Sequence, residues 1–295
     1  MSKTIKFTTV AAMLLMVAFA GCKEERGQYD AEKDFQFRVE DDSKSVTITG
    51  YVGGKDTVRI PPQLRGLPVT DLTHEAFKEK GIVSVTIPSS VTEIGEETFA
   101  YNQLTDITIP NSVTTIWDGA FSNNQLTNII IPSNVTSIGR QAFAYNQLTN
   151  ITVPDSGTTI LGGAFSNNRL TSVTIPNSET WIAPWTFSRN QLTNVTIPNS
   201  VTVIDAYAFI DNQLTNITIP NSVTIIWEEA FFKNKLTSIT IGANVKFMKA
   251  EDYGDLTAPE TPGTIIFDGS FERFYNSTKK AAGTYILRNG KWLRQ

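Results

Sequence analysis

The sequence predicts a mainly β solenoid built from stacked units of 22 residues. Two sets of residues recur at this period without slippage. The prolines of the first set are Pro88, Pro110, Pro132, Pro154, Pro176, Pro198 and Pro220. The phenylalanines of the second set are Phe77, Phe99, Phe121, Phe143, Phe165, Phe187, Phe209 and Phe231. A fixed period of this size indicates a repeat protein, in which no unit buries its apolar face alone and each stacks on its neighbours.

The spacing of apolar residues inside a unit predicts the course of the chain. Ile107 and Ile109 alternate with polar residues, which predicts a strand with one buried face. Pro110 ends this strand because it has no N–H to donate to a ladder, and Val113 with Ile116 predicts a second short inward-facing segment. A period in the twenties with the pattern L-x-x-I-x-I and a fixed asparagine is typical of leucine-rich repeats. We therefore expect a leucine-rich-repeat solenoid with a parallel β-sheet ladder.

An asparagine stands two residues before the inward leucine of each of these units. The column consists of Asn102, Asn124, Asn146, Asn168, Asn190, Asn212 and Asn234. Buried polar groups need hydrogen-bond partners, so each amide is expected to bond backbone groups left unpaired at the bend. We interpret this column as structural and assign it no ligand.

The ends of the chain depart from the repeat and predict caps over the exposed solenoid ends. Residues 34–59 carry two alternating apolar segments around an acidic turn, which predicts a β-hairpin. The solenoid is predicted for 60–248 and a C-terminal cap for 249–295. Within this cap, aromatic residues at helical spacing predict a short helix over 270–282, and Asn289-Gly290 predicts a hairpin turn.

The first 33 residues are expected to export and anchor the protein. Lys3 and Lys6 precede an apolar run, and Cys22, the one cysteine of the chain, follows it. This order resembles a bacterial lipoprotein signal peptide at 1–21, with Phe19 where that motif usually has an aliphatic residue, and it implies cleavage before Cys22 and lipidation of Cys22. Residues 22–33 then form a polar tether. The alternative is an ordinary cleaved signal that leaves Cys22 as an odd thiol.

Composition argues against several functions. Removal of 1–21 takes away two lysines and leaves 23 basic against 29 acidic residues, a net charge of −6, so no basic stripe favours nucleic acid. The single histidine, His74, is interpreted as a surface residue, and no second candidate base completes a Ser-His-Asp set. No His/Cys cluster has metal-ligand spacing. We predict a non-enzymatic protein with no catalytic residues, no metal site and no cofactor.

Aromatic residues gather at the turn after the second segment. Trp117 and Trp227 stand where other units have glycine, Trp185 and Tyr207 are one period apart, and Trp181 lies close to Trp185. These five residues are the predicted ligand-binding site, because exposed apolar patches mark interaction surfaces and Trp and Tyr are common binding anchors. The alternative is that the rings only cover the turn of the adjacent unit.

A second surface is the outward column of the first strand. It consists of Thr86, Thr108, Ile130, Thr152, Thr174, Thr196, Thr218 and Thr240. Threonine suits exposed strands, which is one explanation. The other is binding of an ordered surface such as ice or a polysaccharide by this threonine face, and this is the alternative to protein binding.

The repeated motifs resemble a known family. Segments such as 148–154 (L-T-N-I-T-V-P) and 135–143 (V-T-S-I-G-R-Q-A-F) look like the BspA-type leucine-rich repeats of bacterial surface proteins, over roughly 45–245. The units are one residue shorter than the common form. The resemblance implies an adhesin-type protein at the bacterial cell surface or outer membrane, with a host extracellular-matrix or cell-surface protein as partner. It does not identify the ligand, because repeat proteins share a scaffold and differ on its surface.

Overall fold

A computed structural model describes residues 29–243, 245–249, 267, 271, 275 and 280–295. The predicted signal peptide, Cys22 and most of the predicted tether lie outside these ranges. Inside them, no helix has the length and apolar character that a membrane span requires.

The described residues form short strands, which we number in chain order. They are β1 Phe35–Val39, β2 Val46–Tyr51, β3 Thr57–Arg59, β4 Gln63–Leu64, β5 Leu67–Leu72, β6 Ser84–Thr86, β7 Glu93–Ile94, β8 Thr115–Ile116, β9 Asn128–Ile130, β10 Ser137–Ile138, β11 Asn150–Thr152, β12 Thr159–Ile160, β13 Trp181–Ile182, β14 Val203–Ile204, β15 Asn216–Thr218, β16 Ile225–Trp227, β17 Ser238–Ile241, β18 Lys246–Met248, β19 Gly283–Arg288 and β20 Lys291–Arg294. Within the described part of the chain, a 3-10 turn at Glu32–Asp34 precedes them.

The predicted solenoid with parallel sheets is confirmed, and both segments of the unit contribute a ladder. The second segment gives the more continuous one: β5, β7, β8, β10 and β12 pair in parallel, and β13, β14, β16 and β18 form a second run. The first segment pairs in pieces, β3 with β6, β9 with β11 and β15 with β17. Proline limits the first segment, because each first strand except β17 is followed two residues later by a residue without an N–H. The second segment keeps its donors, as in the bond from Trp117 N to Ile94 O at 2.9 Å.

The second-segment ladder is interrupted between β12 and β13. Valine fills the inward position before this segment in units such as that of Val135, but Gly157 and Glu179 stand there in two successive units. Gly157 is exposed with φ of +85°. Thr158 takes its place inside and donates its hydroxyl to Val135 O at 2.7 Å. The carboxyl group of Glu179 is consequently buried in an apolar column.

The phenylalanine column forms a continuous stack of rings through the core. All eight rings are buried, and the centroids of neighbouring rings are between 5.0 and 6.0 Å apart. Tyr51 continues the stack at the N-terminal end, 5.6 Å from Phe77, and Phe267 continues it at the other end, 5.2 Å from Phe231. Each unit is therefore stabilised through both of its neighbours.

The structural interpretation of the asparagine column is confirmed. Asn124 Nδ2 donates to the carbonyl oxygens of Phe99, Phe121 and Ser122 at 2.8, 3.2 and 3.2 Å. Its Oδ1 accepts from Leu104 N at 3.0 Å. One amide thus satisfies backbone groups of two units, and the pattern repeats along the column.

The predicted N-terminal hairpin is formed by β1 and β2, which pair antiparallel. Phe35 is buried against the Tyr51 ring, with centroids 5.6 Å apart. Asp30, which the sequence places in the tether, is also buried: it accepts hydrogen bonds from Arg59 N at 2.8 Å and Lys55 Nζ at 2.5 Å. The packed fold therefore begins no later than Asp30.

The C-terminal hairpin is formed by β19 and β20, with Asn289 and Gly290 at φ of 49° and 73°. Strand β19 pairs antiparallel with β17 and so covers the edge of the first-segment ladder. Of the helix predicted over 270–282, Phe271 and Tyr275 are described, and both are helical and buried. The other residues before Lys280 lie outside the described ranges.

Candidate functional site

Each unit enters the left-handed backbone region on both sides of its buried phenylalanine. The residues before the ring form the turn-start column: Glu75, Glu97, Gly119, Gln141, Gly163, Trp185, Tyr207 and Glu229. Those after it form the turn-end column: Glu79, Tyr101, Asn123, Tyr145, Asn167, Arg189, Asp211 and Lys233. Bonds between units hold these turns, as from Glu97 N to Asp118 O at 2.8 Å and from Tyr101 N to Ser122 O at 3.0 Å.

Trp185 and Tyr207 occupy adjacent places in the turn-start column and stack on each other. Their ring centroids are 4.0 Å apart and their planes differ by 16°. Both have φ of +62°, a region that bulky residues rarely adopt. Gly119 and Gly163 stand in the same column, where they adopt this backbone without a Cβ penalty. The two aromatic residues thus occupy positions better suited to glycine.

The stack is partly open to solvent. Trp185 is 41% exposed, and Tyr207 is half-buried. Burial raises the pKa of the Tyr207 hydroxyl, and the negative charge of Glu228 adds to this effect. The hydroxyl donates to Glu228 Oε1 at 3.4 Å.

A second row of side chains lies next to this stack in the sheet. Trp181 pairs with Val203, and Val203 pairs with Ile225, across β13, β14 and β16. The ring nitrogen of Trp181 donates to Asp205 Oδ2 at 2.9 Å, which fixes the indole against the next unit. We call the surface formed by Trp181, Trp185, Val203 and Tyr207 the aromatic face.

The expectation for Trp227 is corrected by the structure. Its side chain is 3% exposed and packs in a small apolar cluster with Ala206, Ile225 and Met248. Strand β18 causes this burial, because it pairs with β16 and sets Met248 opposite Trp227. The ring covers the adjacent turn and offers no free surface to a ligand.

Trp117 does not belong to the aromatic face. It is 48% exposed, and its ring nitrogen donates to Glu93 Oε2 at 2.9 Å. It lies three units before Trp181, beyond Gly139 and Leu161 of its own column. The structure therefore brings together three of the five predicted aromatic residues, Trp181, Trp185 and Tyr207.

A groove of about 800 Å³, which apolar periodicity does not reveal, runs along the turns and reaches Trp181 and Trp185. Tyr101 and Tyr145 line it from the turn-end column and are 52% and 46% exposed. We call this feature the turn groove. The sequence feature that could have identified this groove is the motif A-Y-N-Q-L. It occurs at 100–104 and 144–148, with a tyrosine before the structural asparagine.

The remaining candidates lie on open surface. His74 is exposed, 3.6 Å from a carboxylate oxygen of Glu75 and 3.7 Å from one of Glu96. The threonine face points outward as predicted, but Ile130 interrupts it with a side chain that is 74% exposed. Among the described residues, no group of three or more His, Cys, Asp and Glu side chains is placed to hold a metal ion.

Comparison with known proteins agrees with this architecture. A family model described as BspA type leucine rich repeat region, with six copies, matches residues 70–191 and 136–255. A leucine-rich repeat protein from Bacteroides ovatus is similar in structure, with a TM-score of 0.57 and 26% identity over 73% of this chain and 66% of that chain. No curated protein matches the chain.

Two further solved structures are similar in part. A leucine rich cell surface protein from Faecalibacterium prausnitzii is 31% identical over 72% of this chain and 54% of its own, with a TM-score of 0.47. A leucine-rich-repeat protein from T. pallidum is 24% identical over 70% of this chain and 90% of its own, with a TM-score of 0.48. The chain thus spans about two thirds of the Bacteroides ovatus protein and about half of the Faecalibacterium prausnitzii protein.

The family match covers more than half of the chain and coincides with the repeats seen in the structure. Proteins of this family are typically found on bacterial surfaces, and their repeats are typically non-enzymatic binding scaffolds. The chain belongs to the BspA-type leucine-rich-repeat family.

Proposed function

We propose that the protein is a lipid-anchored adhesin that binds a host extracellular-matrix or cell-surface protein through the aromatic face. The observation that carries this proposal is the stack of Trp185 on Tyr207 in left-handed backbone. Left-handed backbone costs about 1–3 kcal/mol for a residue other than glycine and recurs throughout this column, as at Gln141 and Glu229, so the exposed ring stack is what distinguishes these two units. Neither ring belongs to the main core, and Tyr207 packs at the edge of the small apolar cluster that contains Trp227.

The surroundings of the stack favour a protein partner. Arg189 and Asp211 follow Trp185 and Tyr207 in the turn-end column and are exposed. These two residues place one positive and one negative side chain beside the aromatic pair. Protein interfaces have this arrangement, with aromatic anchors in the centre and polar residues around them.

The sequence before the fold supports anchoring at the cell surface. A signal of the lipoprotein type ends at Cys22, and the described fold is packed from Asp30 onward. Several acyl chains on Cys22 give stable attachment, since one chain is marginal and two suffice. The residues between Cys22 and Asp30 then separate the solenoid from the lipid.

Surface plasmon resonance against immobilised fibronectin, laminin and collagen tests the adhesin proposal. We expect the protein to bind at least one of these, and the double variant Trp185→Gly/Tyr207→Gly to lose about 2 kcal/mol or more of binding free energy. Gln141→Gly is the matched control, because Gln141 is an exposed residue of the same left-handed column. Equal binding by wild type and the double variant would place the site elsewhere.

The alternative function, binding of an ordered surface, rests on the exposed threonine face. An ice-recrystallisation assay separates the two functions. We expect no inhibition of ice growth, because Ile130 and the gaps in the first-segment ladder interrupt the regularity of this face. Inhibition that is lost on replacing Thr152 and Thr174 with lysine would favour the alternative.

A further inference from the structure

We propose that the turn groove binds a neutral, extended oligosaccharide, with Tyr101 and Tyr145 as stacking platforms. This site goes beyond the protein binding proposed for the aromatic face. The two surfaces share Trp181 and Trp185 at one end of the groove, and the two tyrosines belong to the groove alone.

The spacing of the platforms matches a sugar chain. Tyr101 and Tyr145 occupy equivalent positions two units apart. The phenylalanine rings of the same units advance by 5.4 and 5.3 Å per unit, so we expect the two tyrosines to lie about 11 Å apart along the groove. This is close to the length of one disaccharide in an extended β-linked glycan. The apolar C–H face of a sugar ring packs well on an aromatic ring.

The units between the aromatic residues leave room for the sugar. Gly119 and Asn123 line the groove between the two tyrosines, and Gly163 lines it between Tyr145 and Trp185. Gln141 and Asn123 supply neutral amide groups there. The lining is more polar than apolar, which suits a ligand rich in hydroxyl groups, and the aromatic rings supply the apolar contacts.

The charges of the groove favour a neutral ligand. Glu96, Glu97 and Asp118 lie at one end, with Arg140 beside them. Glu97 is paired with Lys78, and Asp118 Oδ1 accepts from Arg140 N at 2.6 Å. Acidic residues outnumber basic ones in this lining, and Lys78 Nζ, 5.9 Å from the Tyr101 ring centroid, is paired with Glu97. The lining therefore gives a sulfated or carboxylated polysaccharide no net attraction.

An extended peptide fits less well. Alternate residues of a strand are separated by about 6.6 Å, which does not match the spacing of the tyrosines. A peptide that binds as an added strand also needs free backbone groups on the protein. Here the backbone groups of the turns bond between units, as from Tyr101 N to Ser122 O and from Tyr145 N to Ser166 O.

Isothermal titration calorimetry of the full chain in detergent with cellohexaose and chitohexaose tests the proposal. We expect at least one of these extended β-linked chains to bind, and maltohexaose, which coils, to bind more weakly. The double variant Tyr101→Asn/Tyr145→Asn should raise the dissociation constant at least about tenfold. Asparagine is the matched replacement because Asn123 and Asn167 hold the same left-handed backbone in this column.

The same variants separate this site from the aromatic face. The Tyr101→Asn/Tyr145→Asn protein should keep its thermal unfolding midpoint and its binding to any immobilised matrix protein that the wild type recognises. Thr152→Lys on the threonine face should leave oligosaccharide binding unchanged. Absence of binding to both β-linked hexasaccharides overturns the proposal, as does unchanged affinity in the tyrosine double variant.

Discussion

The rings of Trp185 and Tyr207 stack with centroids 4.0 Å apart, although each residue holds a left-handed backbone that glycine adopts at 119 and 163 of the same column. A stack of this kind contributes about 0.5–1.5 kcal/mol beyond the burial of its rings, whereas the backbone of the two residues costs about 1–3 kcal/mol each. The cost of the backbone therefore offsets much of what the stack and the packing of Tyr207 against the cluster that contains Ala206 and Ile225 contribute to stability. We infer that Trp185 and Tyr207 are present because they bind a ligand.

Replacement of Phe143 by alanine should be costly and should affect more than one unit. Its ring stacks on Phe121 at 5.3 Å and Phe165 at 5.7 Å and is fully buried, so we expect a loss of about 3–5 kcal/mol in the free energy of unfolding. Urea unfolding gives the loss, and hydrogen exchange should show weaker protection in both adjacent units. A loss below about 1 kcal/mol would contradict the observed packing.

Asn146→Ala should be as damaging, for a different reason. Its amide donates to the carbonyl oxygens of Phe121, Phe143 and Ala144, and its Oδ1 accepts from Leu126 N. Unsatisfied buried groups cost about 1–3 kcal/mol each, so a total of about 3 kcal/mol or more is expected in urea unfolding. Asn150→Ala, at an exposed strand position, is the control and should change stability by less than about 0.5 kcal/mol.

Glu179 should make stability depend on pH. Burial raises the pKa of its carboxyl group to about 7, and the N–H groups of Trp181 and Ile160 offset this only in part. Its Oε2 has no hydrogen-bond partner among the described residues. In the unfolded protein the pKa of this carboxyl group is about 4.3. Between the pKa values of the unfolded and folded states, the folded state therefore binds more protons than the unfolded state. The free energy of unfolding should therefore fall as pH rises through this window and level off above it.

Two substitutions at Glu179 isolate this effect. Glu179→Gln should remove the fall in stability between about pH 4.5 and 7. Glu179→Val restores the valine found in this column at 135 and 201 and should raise the free energy of unfolding at about pH 8 by about 1–3 kcal/mol. If the glutamine variant kept the full pH dependence of the wild type, another group would be responsible.

Lipidation at Cys22 predicts the behaviour of the whole protein in detergent. The wild type should partition into the detergent phase of Triton X-114 after expression in a bacterium, and Cys22→Ser should stay in the aqueous phase or remain uncleaved. Cys22 is the one cysteine of the chain, so no other thiol complicates the comparison. Equal partitioning of the two proteins would contradict lipid anchoring.

The repeat itself was predictable because its side chains face fixed environments. The inward columns of Phe143 and Asn146 are held by contacts that recur every 22 residues, so periodicity alone identified them. The interruption at Gly157 and Glu179 was also visible as two departures from a valine column. Its effect on the ladder depends on how Thr158 repacks, which the pattern does not specify.

The candidate site was predictable only in part. Spacing placed Trp185 beside Tyr207 correctly, because residues one period apart must be neighbours. It failed for Trp227, because the burial of that ring depends on strand β18, where the repeat pattern decays. It also missed Tyr101 and Tyr145, since left-handed backbone positions cannot be read from apolar periodicity.

The free energy of unfolding of Trp185→Gly/Tyr207→Gly, measured in urea against the wild type, tests most directly whether the two rings are present for binding. Phe187→Ala, in the same turn, serves as a reference for a loss of true core packing and should cost about 3–5 kcal/mol. If Trp185 and Tyr207 are present for binding, the glycine double variant should be as stable as the wild type to within about 1 kcal/mol, or more stable. The reason is that relief of backbone strain offsets loss of the stack. A loss of about 2 kcal/mol or more would show that the two rings stabilise the fold and would contradict the account.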